Sequence, residues 1–210
     1  MIEILRESQG GSEIWTLKLN RPEKANSLTR EMLAAIETAT AEAEQAGVAA
    51  LVLTGEGKVF SAGADLDQAR NDGLTTDPLW ERVSSRLAAL PCLTIAALNG
   101  TLAGGSFGMV LACDLRISVP TAKFFYPVMK LGFLPQPSDA VRLSSLLGPA
   151  RARMILMASQ KIEAPAALDW GLVDRIVEPA MMGEAIADLT EAVCAAPPEI
   201  RKGIKGMIPG

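Results

Sequence analysis

Along "EIWTLKLN" the side chains alternate, with Trp15, Leu17 and Leu19 on one side and Ile14, Thr16 and Lys18 on the other. A period of two predicts a strand, and "IEILRES" ahead of the "QGG" turn predicts its partner. Pro22 interrupts the pattern, so "RPEKANSL" is expected to be a loop. The period then changes. "REMLAAIETATAEAEQAG" predicts a helix capped by Thr29 and ended by Gly47. "AALVLTG" is a short β-branched run of the buried-strand kind. "EGKVFSAGADL" predicts a loop of small residues, and "TTDPLWERVSSRLAAL" a helix stopped before Pro91. "CLTIAALNG" is a second buried strand, "GSFGMVLA" a helix apolar almost all round, and "CDLRISV" a strand. From Ser138 onward the chain is mostly helical, and "PPEIRKGIKGMIPG" has the Pro, Gly and Lys content of a loosely held tail.

Strands and helices in alternation with short connections predict an α/β fold with βαβ packing. The elements form one domain over residues 1–196, with 197–210 as a short tail, and no repeat of 20–50 residues is visible. A chain of 210 residues is long enough to bury roughly 70% of its unfolded surface without staples.

Composition then removes whole classes of function. No stretch reaches the roughly 18 continuous apolar residues of a membrane span. "MIEILRESQG" lacks the basic and apolar regions of a signal peptide, so a cytoplasmic location and no membrane partner are expected. A net charge of −4 without a basic stripe argues against nucleic acid. Cys92, Cys113 and Cys194 are odd in number and scattered, which suits buried reduced thiols and no metal site. The chain has no histidine. Ser–His and Cys–His nucleophiles, His-ligated zinc and imidazole bases are thereby excluded. Acid–base work must fall to Asp, Glu, Lys, Tyr or the substrate.

Two loops stand out. "FSAGADL" follows one buried strand and "LAGGSFG" the next, each with small residues that let backbone approach a ligand. Loops at the carboxyl ends of neighbouring strands face one crevice. The N–H groups of Ala64 and Gly105 are therefore expected to converge on one oxygen, the second helped by the helix dipole behind it. Such a pair makes an oxyanion hole. A Gly-Gly pair also serves plain close packing of helix on sheet, and spacing alone does not separate the two readings.

The blocks "LNRPEKANSLTREM", "LTGEGKVFSAGADL", "ALNGTLAGGSFGMVLACDLRIS" and "KLGFLPQPSDAVRLSSLLGPARARMILMASQKIEAPAALDWGLVDRIVEP" stand in the order and spacing of the crotonase superfamily, the enoyl-CoA hydratase/isomerase family. The resemblance runs from about Ile14 to Pro179. It implies a ClpP/crotonase-like core of repeated ββα units, a role in acyl-CoA and fatty acid metabolism as a lyase or isomerase, and a homotrimer or dimer of trimers. It implies no permanently bound cofactor, with coenzyme A entering as part of the thioester substrate. Ala64 and Gly105 match the oxyanion donors. Ala62, Asp65 and Leu66 match the segment that holds adenine, and Arg21 and Lys24 are candidates for the CoA phosphates, although a solvated loop explains those two cations equally well.

This sequence departs from the family pattern where the chemistry is done. The resemblance places one catalytic glutamate at Gly108 and the other at Val128, and a further acid used by some members at Gln136. Each general acid–base group is worth roughly 100- to 10,000-fold in rate, so losing two argues against ordinary crotonyl-CoA hydration. Asp139 is the nearest replacement in sequence, though Ser138 and Asp139 also suit a helix start. Tyr126 and Ser106 suit packing and capping better than chemistry, and Asp67, Asp72 and Glu81 lie in a segment that could cover the pocket. The family's C-terminal helical extension is expected to be truncated or absent. What remains is an acyl-CoA-binding fold with an enolate-stabilising oxyanion hole. Decarboxylation of a malonyl-type thioester, thioester hydrolysis, and non-catalytic binding of acyl-CoA or an acyl carrier are the alternatives to hydration.

Overall fold

The computed structural model describes residues 1–208. Strands β1 (Ile2–Gln9) and β2 (Ser12–Leu19) form an antiparallel hairpin, whose turn at Gly10 and Gly11 has φ of 60° and 85°. Two consecutive left-handed residues are what a two-residue turn matching strand twist requires. Helix α1 (Arg30–Ala46) follows, its first turn closed by the Thr29 side chain accepting from the Met32 N–H and its end by Gly47 in the left-handed region. Then come β3 (Ala50–Gly55), β4 (Val59–Ser61), α2 (Leu66–Asn71), α3 (Leu79–Ala89), β5 (Leu93–Leu98), β6 (Thr101–Ala103) and α4 (Phe107–Leu111). The next elements are β7 (Leu115–Ser118), β8 (Lys123–Phe125), α5 (Val128–Leu131), α6 (Pro137–Leu147), α7 (Pro149–Leu156), β9 (Ile162–Glu163), α8 (Ala164–Trp170) and β10 (Arg175–Ile176). Helices α9 (Met182–Ala195) and α10 (Pro198–Met207) complete the described chain.

A large sheet runs in the order β1-β2-β3-β5-β7-β10, and a small one in the order β4-β6-β8-β9. Three times the chain lays one strand in the large sheet, turns, and lays the next in the small sheet: β3 to β4, β5 to β6, β7 to β8. A helix returns it each time. These are the repeated ββα units that the resemblance implied. The turns between paired strands are tight. The Asn99 side chain accepts from the Gly55 N–H and donates to the Gly57 carbonyl, and a Cβ on Gly100 would run into the Lys58 carbonyl.

Alternation along the central strands sorts their side chains into two cores. Leu51, Leu53, Ala96 and Leu98 face the layer holding α1, α3 and α4, whereas Val52, Ile95, Ala97 and Ile117 face α9. The second core makes both faces of the sheet apolar, as expected for parallel strands covered on both sides. No helix among the described residues is long and apolar enough to cross a membrane.

The C-terminal segment differs from the loose tail expected of it. Residues 198–207 form α10, and its Lys205 ammonium donates to Asp114 at 2.7 Å and to the Cys92 carbonyl at 2.8 Å. Arg201 donates to the Val193 carbonyl at 2.9 Å. Lys205 ties the helix to the starts of β5 and β7, and Arg201 ties it to α9.

Candidate functional site

The loop after β4 is set in place by the segment before α1. Asn26, fully buried and left-handed at φ 52°, donates through its amide to the Glu56 and Val59 carbonyls and accepts the Arg21 N–H. Ser61 Oγ donates to the Asn26 carbonyl, and the Ala62 N–H to the Ala25 carbonyl. One step on, the Leu28 N–H reaches the Gly63 carbonyl at 2.7 Å and the Asp65 N–H the Leu28 carbonyl at 2.8 Å. The N–H groups of Gly63 and Asp65 are thus both paired. The Ala64 N–H between them has no acceptor among the described residues.

The loop after β6 meets it at contact distance. Gly63 has φ 91° and Gly104 φ 61°, conformations that side chains resist. A methyl on Gly63 would lie 2.9 Å from the Ala103 carbonyl oxygen and 3.4 Å from the Gly105 nitrogen. Only two glycines allow this approach. Gly105 is the second residue of a 3₁₀ turn, Gly104–Ser106, so its N–H precedes the turn's first hydrogen bond. The Trp80 ring, fixed by Nε1 donating to the Leu74 carbonyl, lies 3.3 Å from where a Gly105 Cβ would stand. The α-helix behind this turn is α4, only five residues long, so the dipole expected to help Gly105 is small.

Three residues beyond Gly105 stands Gly108, beside the carboxylate of Asp139. A methyl on Gly108 would be 2.6 Å from Asp139 Oδ1 and 3.3 Å from its Cγ and Oδ2. Asp139 is 1% exposed. It does not cap α6: that helix begins at Gln136 and Pro137 with no side-chain cap, and Glu81 reaches over from α3 to accept from the Ser138 N–H and Oγ. Tyr126, stacked on Phe107 with ring centroids 5.4 Å apart, donates its hydroxyl to Asp139 Oδ2 at 2.9 Å. Oδ1 is buried with no partner among the described residues. Burial drives the Asp139 pKa up to about 7, against the pull of the Tyr126 hydrogen bond and the Arg142 charge. The Tyr126 hydroxyl is pushed upward too, by burial first and then by Asp139.

Several residues singled out in the sequence have other work. Arg21, a candidate for CoA phosphates, donates to Asp65 Oδ2 at 2.6 Å and to the Ser27 carbonyl and hydroxyl. Asp65, expected among the adenine-holding residues, accepts that ion pair and caps α2 through the Asp67 and Gln68 N–H groups, and its own N–H and carbonyl are hydrogen-bonded. The Arg21 hydrogen bond holds the Asp65 carboxyl below its ordinary value. Lys24, Ala62 and Leu66 are exposed. Ser106 donates to the Ala103 carbonyl at 2.6 Å instead of capping α4. Asp67 and Asp72 stand exposed on α2 and at its end. Val128 is buried, and the Gln136 amide turns to the Thr75 carbonyl. The three cysteines are free and buried, and burial pushes the Cys113 thiol up to about 12. Sequence reasoning names Asp139 as the nearest replacement acid and Tyr126 as packing, but it misses that the two are hydrogen-bonded. The pair's one visible sign is that a glycine stands where the pattern wants a carboxylate, and an acid follows 31 positions later.

Residues 9–208 match the family model described as enoyl-CoA hydratase/isomerase. The chain is 35% identical over 163 residues to a "Probable enoyl-CoA hydratase" of Mycobacterium tuberculosis, covering 78% of this chain and 67% of that one. It is 31% identical over 205 residues to 4-chlorobenzoyl coenzyme A dehalogenase-2 of an Arthrobacter species, covering 92% and 73%. Among solved structures, an enoyl-CoA hydratase from Bacillus anthracis superposes with a TM-score of 0.89 at 27% identity, over 98% of this chain and 81% of the other.

Proposed function

The chain belongs to the enoyl-CoA hydratase/isomerase family, and on that premise we propose that it binds an acyl-CoA thioester with the carbonyl oxygen between the N–H groups of Ala64 and Gly105. The observation that carries this reading is the contact of Gly63 with Ala103–Gly105, beside two N–H groups without acceptors among the described residues. An oxygen held there gains most when it bears charge. Each donor is worth on the order of 3 kcal/mol to a developing oxyanion, so an enolate is favoured over the neutral thioester. Ala62 and Leu66 at the exposed side of the same loop are the candidate contacts for the adenine, and Lys24 for the phosphates.

Ordinary hydration is not the activity this site favours. Adding water across a double bond uses one group to take a proton from water and one to give a proton to carbon, and Gly108 and Val128 supply neither. Reactions that need only an enolate, with a single proton transfer or the loss of CO₂, make smaller demands.

Calorimetric titration tests the reading, with butyryl-CoA compared against the thioether analogue that lacks the carbonyl oxygen. Two hydrogen bonds to that oxygen predict about tenfold or more tighter binding of the thioester. The infrared carbonyl stretch of the bound thioester should also fall in frequency. Equal affinities with an unshifted carbonyl would overturn the proposal.

A further inference from the structure

The start of the side chain that Gly108 lacks is occupied by another residue's carboxylate. Asp139 Oδ1 stands 2.6 Å from the position of a Gly108 Cβ. Gly108, in the first turn of α4, follows Gly105 of the preceding 3₁₀ turn by three residues. The Asp139 carboxylate therefore packs on α4 about one turn beyond the oxyanion glycine, although it is carried by α6. Its two oxygens are unlike. Oδ2 is held by the Tyr126 hydroxyl, itself fixed by the stack on Phe107, while Oδ1 is buried and unpartnered among the described residues.

The charged groups nearby do not neutralise it. Arg142, on the same helix, donates to Ser138 Oγ at 2.8 Å. Glu81, from α3, accepts from Ser138 and adds a like charge. The Tyr126 phenol, just after β8, reaches it, and α4 presents apolar side chains and Gly108. A buried carboxyl with no ion pair and one free oxygen gives up and takes back a proton near neutrality; burial sets that point at about 7.

Resting on the thioester reading above, we propose that Asp139 is the acid–base residue of this site, removing a proton from C2 of the bound acyl group and returning it. Oδ1 takes the proton, the C2–H electron pair becomes the C1–C2 double bond, and the carbonyl electrons move to the oxygen held by Ala64 and Gly105. Return of the proton from the Asp139 carboxyl to carbon re-forms the carbonyl and the carboxylate, so atoms and charge balance without a second group. The carboxylate that the family pattern puts on the helix after the oxyanion glycine has here a counterpart that comes from α6. Tyr126 is a positioning residue: it touches the carboxylate, not the substrate.

The experiment is deuterium exchange at C2 of butyryl-CoA in D₂O, followed by NMR, with binding measured on the same samples. Wild type should exchange at a rate that rises with pH and levels off above about 7. Asp139→Asn should bind butyryl-CoA within threefold of wild type and exchange at least 100-fold more slowly. Tyr126→Phe retains the base but removes a hydrogen bond that favours its charged form, so its profile should move to higher pH. Exchange unchanged in Asp139→Asn, an unmoved profile in Tyr126→Phe, or wild type that binds without exchanging would each overturn the assignment. Wild type that exchanges nothing because it binds no thioester overturns the thioester reading itself.

Discussion

Replacing Asp139 by asparagine removes a charge that the interior of this fold is poorly placed to hold. The folded protein keeps the carboxyl protonated up to about pH 7, whereas in the unfolded chain it ionises near its ordinary value of 3.8. Between those two points the unfolded state binds fewer protons than the folded one, so stability falls as pH rises, and above about 7 the loss is complete. At roughly 1.4 kcal/mol per pH unit the full loss is about 4 kcal/mol, of which about 3 kcal/mol falls between pH 5 and pH 7. Asparagine cannot ionise. Its carbonyl can still accept from Tyr126, and whatever its amide costs beside Gly108 does not change with pH. The difference in stability between Asp139→Asn and wild type should therefore move in favour of the variant by about 3 kcal/mol from pH 5 to pH 8.

Urea denaturation of both proteins at matched pH values measures this directly, because every other titrating group cancels in the difference. Thermal melts give the same information, at roughly 2–4 °C per kcal/mol for a domain of this size, so the relative gain should be about 6–12 °C. A difference between the two proteins that stays flat from pH 5 to pH 8 would falsify the reasoning: Asp139 would then ionise as freely in the fold as out of it. Stability and proton exchange test different halves of one idea. The stability result says whether the carboxyl is held near neutrality, and the exchange result says whether a substrate carbon can reach it.

Gly63→Ala forces a side chain into a left-handed residue at 2.9 Å from the Ala103 carbonyl, so it should cost at least 1–2 kcal/mol of stability and part the two loops. Titration with butyryl-CoA should show affinity falling together with the downshift of the carbonyl stretch. Arg21→Met leaves the nearly buried Asp65 carboxylate without its ion pair and should cost about 1–3 kcal/mol at pH 7. Because Arg21 holds the Asp65 pKa down, that cost is present above the ordinary value of 3.8 and shrinks as pH falls below it and the folded-state carboxyl protonates; paired denaturation curves at about pH 7 and about pH 3 show it. If Arg21 instead held CoA phosphates, the variant would lose the salt dependence of CoA binding and little stability. Lys205→Met cuts the tie to Asp114 and the Cys92 carbonyl, and hydrogen exchange should then speed up across α10 before any other element.

The two loops of the site were legible in the sequence because their geometry depends on glycine, and glycine is visible: Gly63, Gly104 and Gly105 announce a close approach of backbone whatever surrounds them. The helix cap at Thr29 and the hairpin at Gly10–Gly11 were legible for the same local reason. What stayed hidden depends on partners far away in the chain. Arg21 reads as a free cation until Asp65, 44 residues on, is found beside it, and Lys205 reads as part of a loose tail until Asp114, 91 residues back, accepts its hydrogen bond. The threefold ββα repeat escapes notice because its second strands, Val59–Ser61, Thr101–Ala103 and Lys123–Phe125, have three residues each. Three residues hold too little of a period-two pattern to register, and they are strands only because neighbouring strands pair with them. Asp139 reads in sequence as the nearest replacement acid, yet what it packs against stays hidden. At the third position of a helix it looks like a dipole partner, and nothing local contradicts that; its meaning comes from an absence, the missing side chain of Gly108 against which it packs. A carboxylate can thus stay near one place in a fold while its carrier changes from one helix to another, and aligning the chain position by position records only a loss.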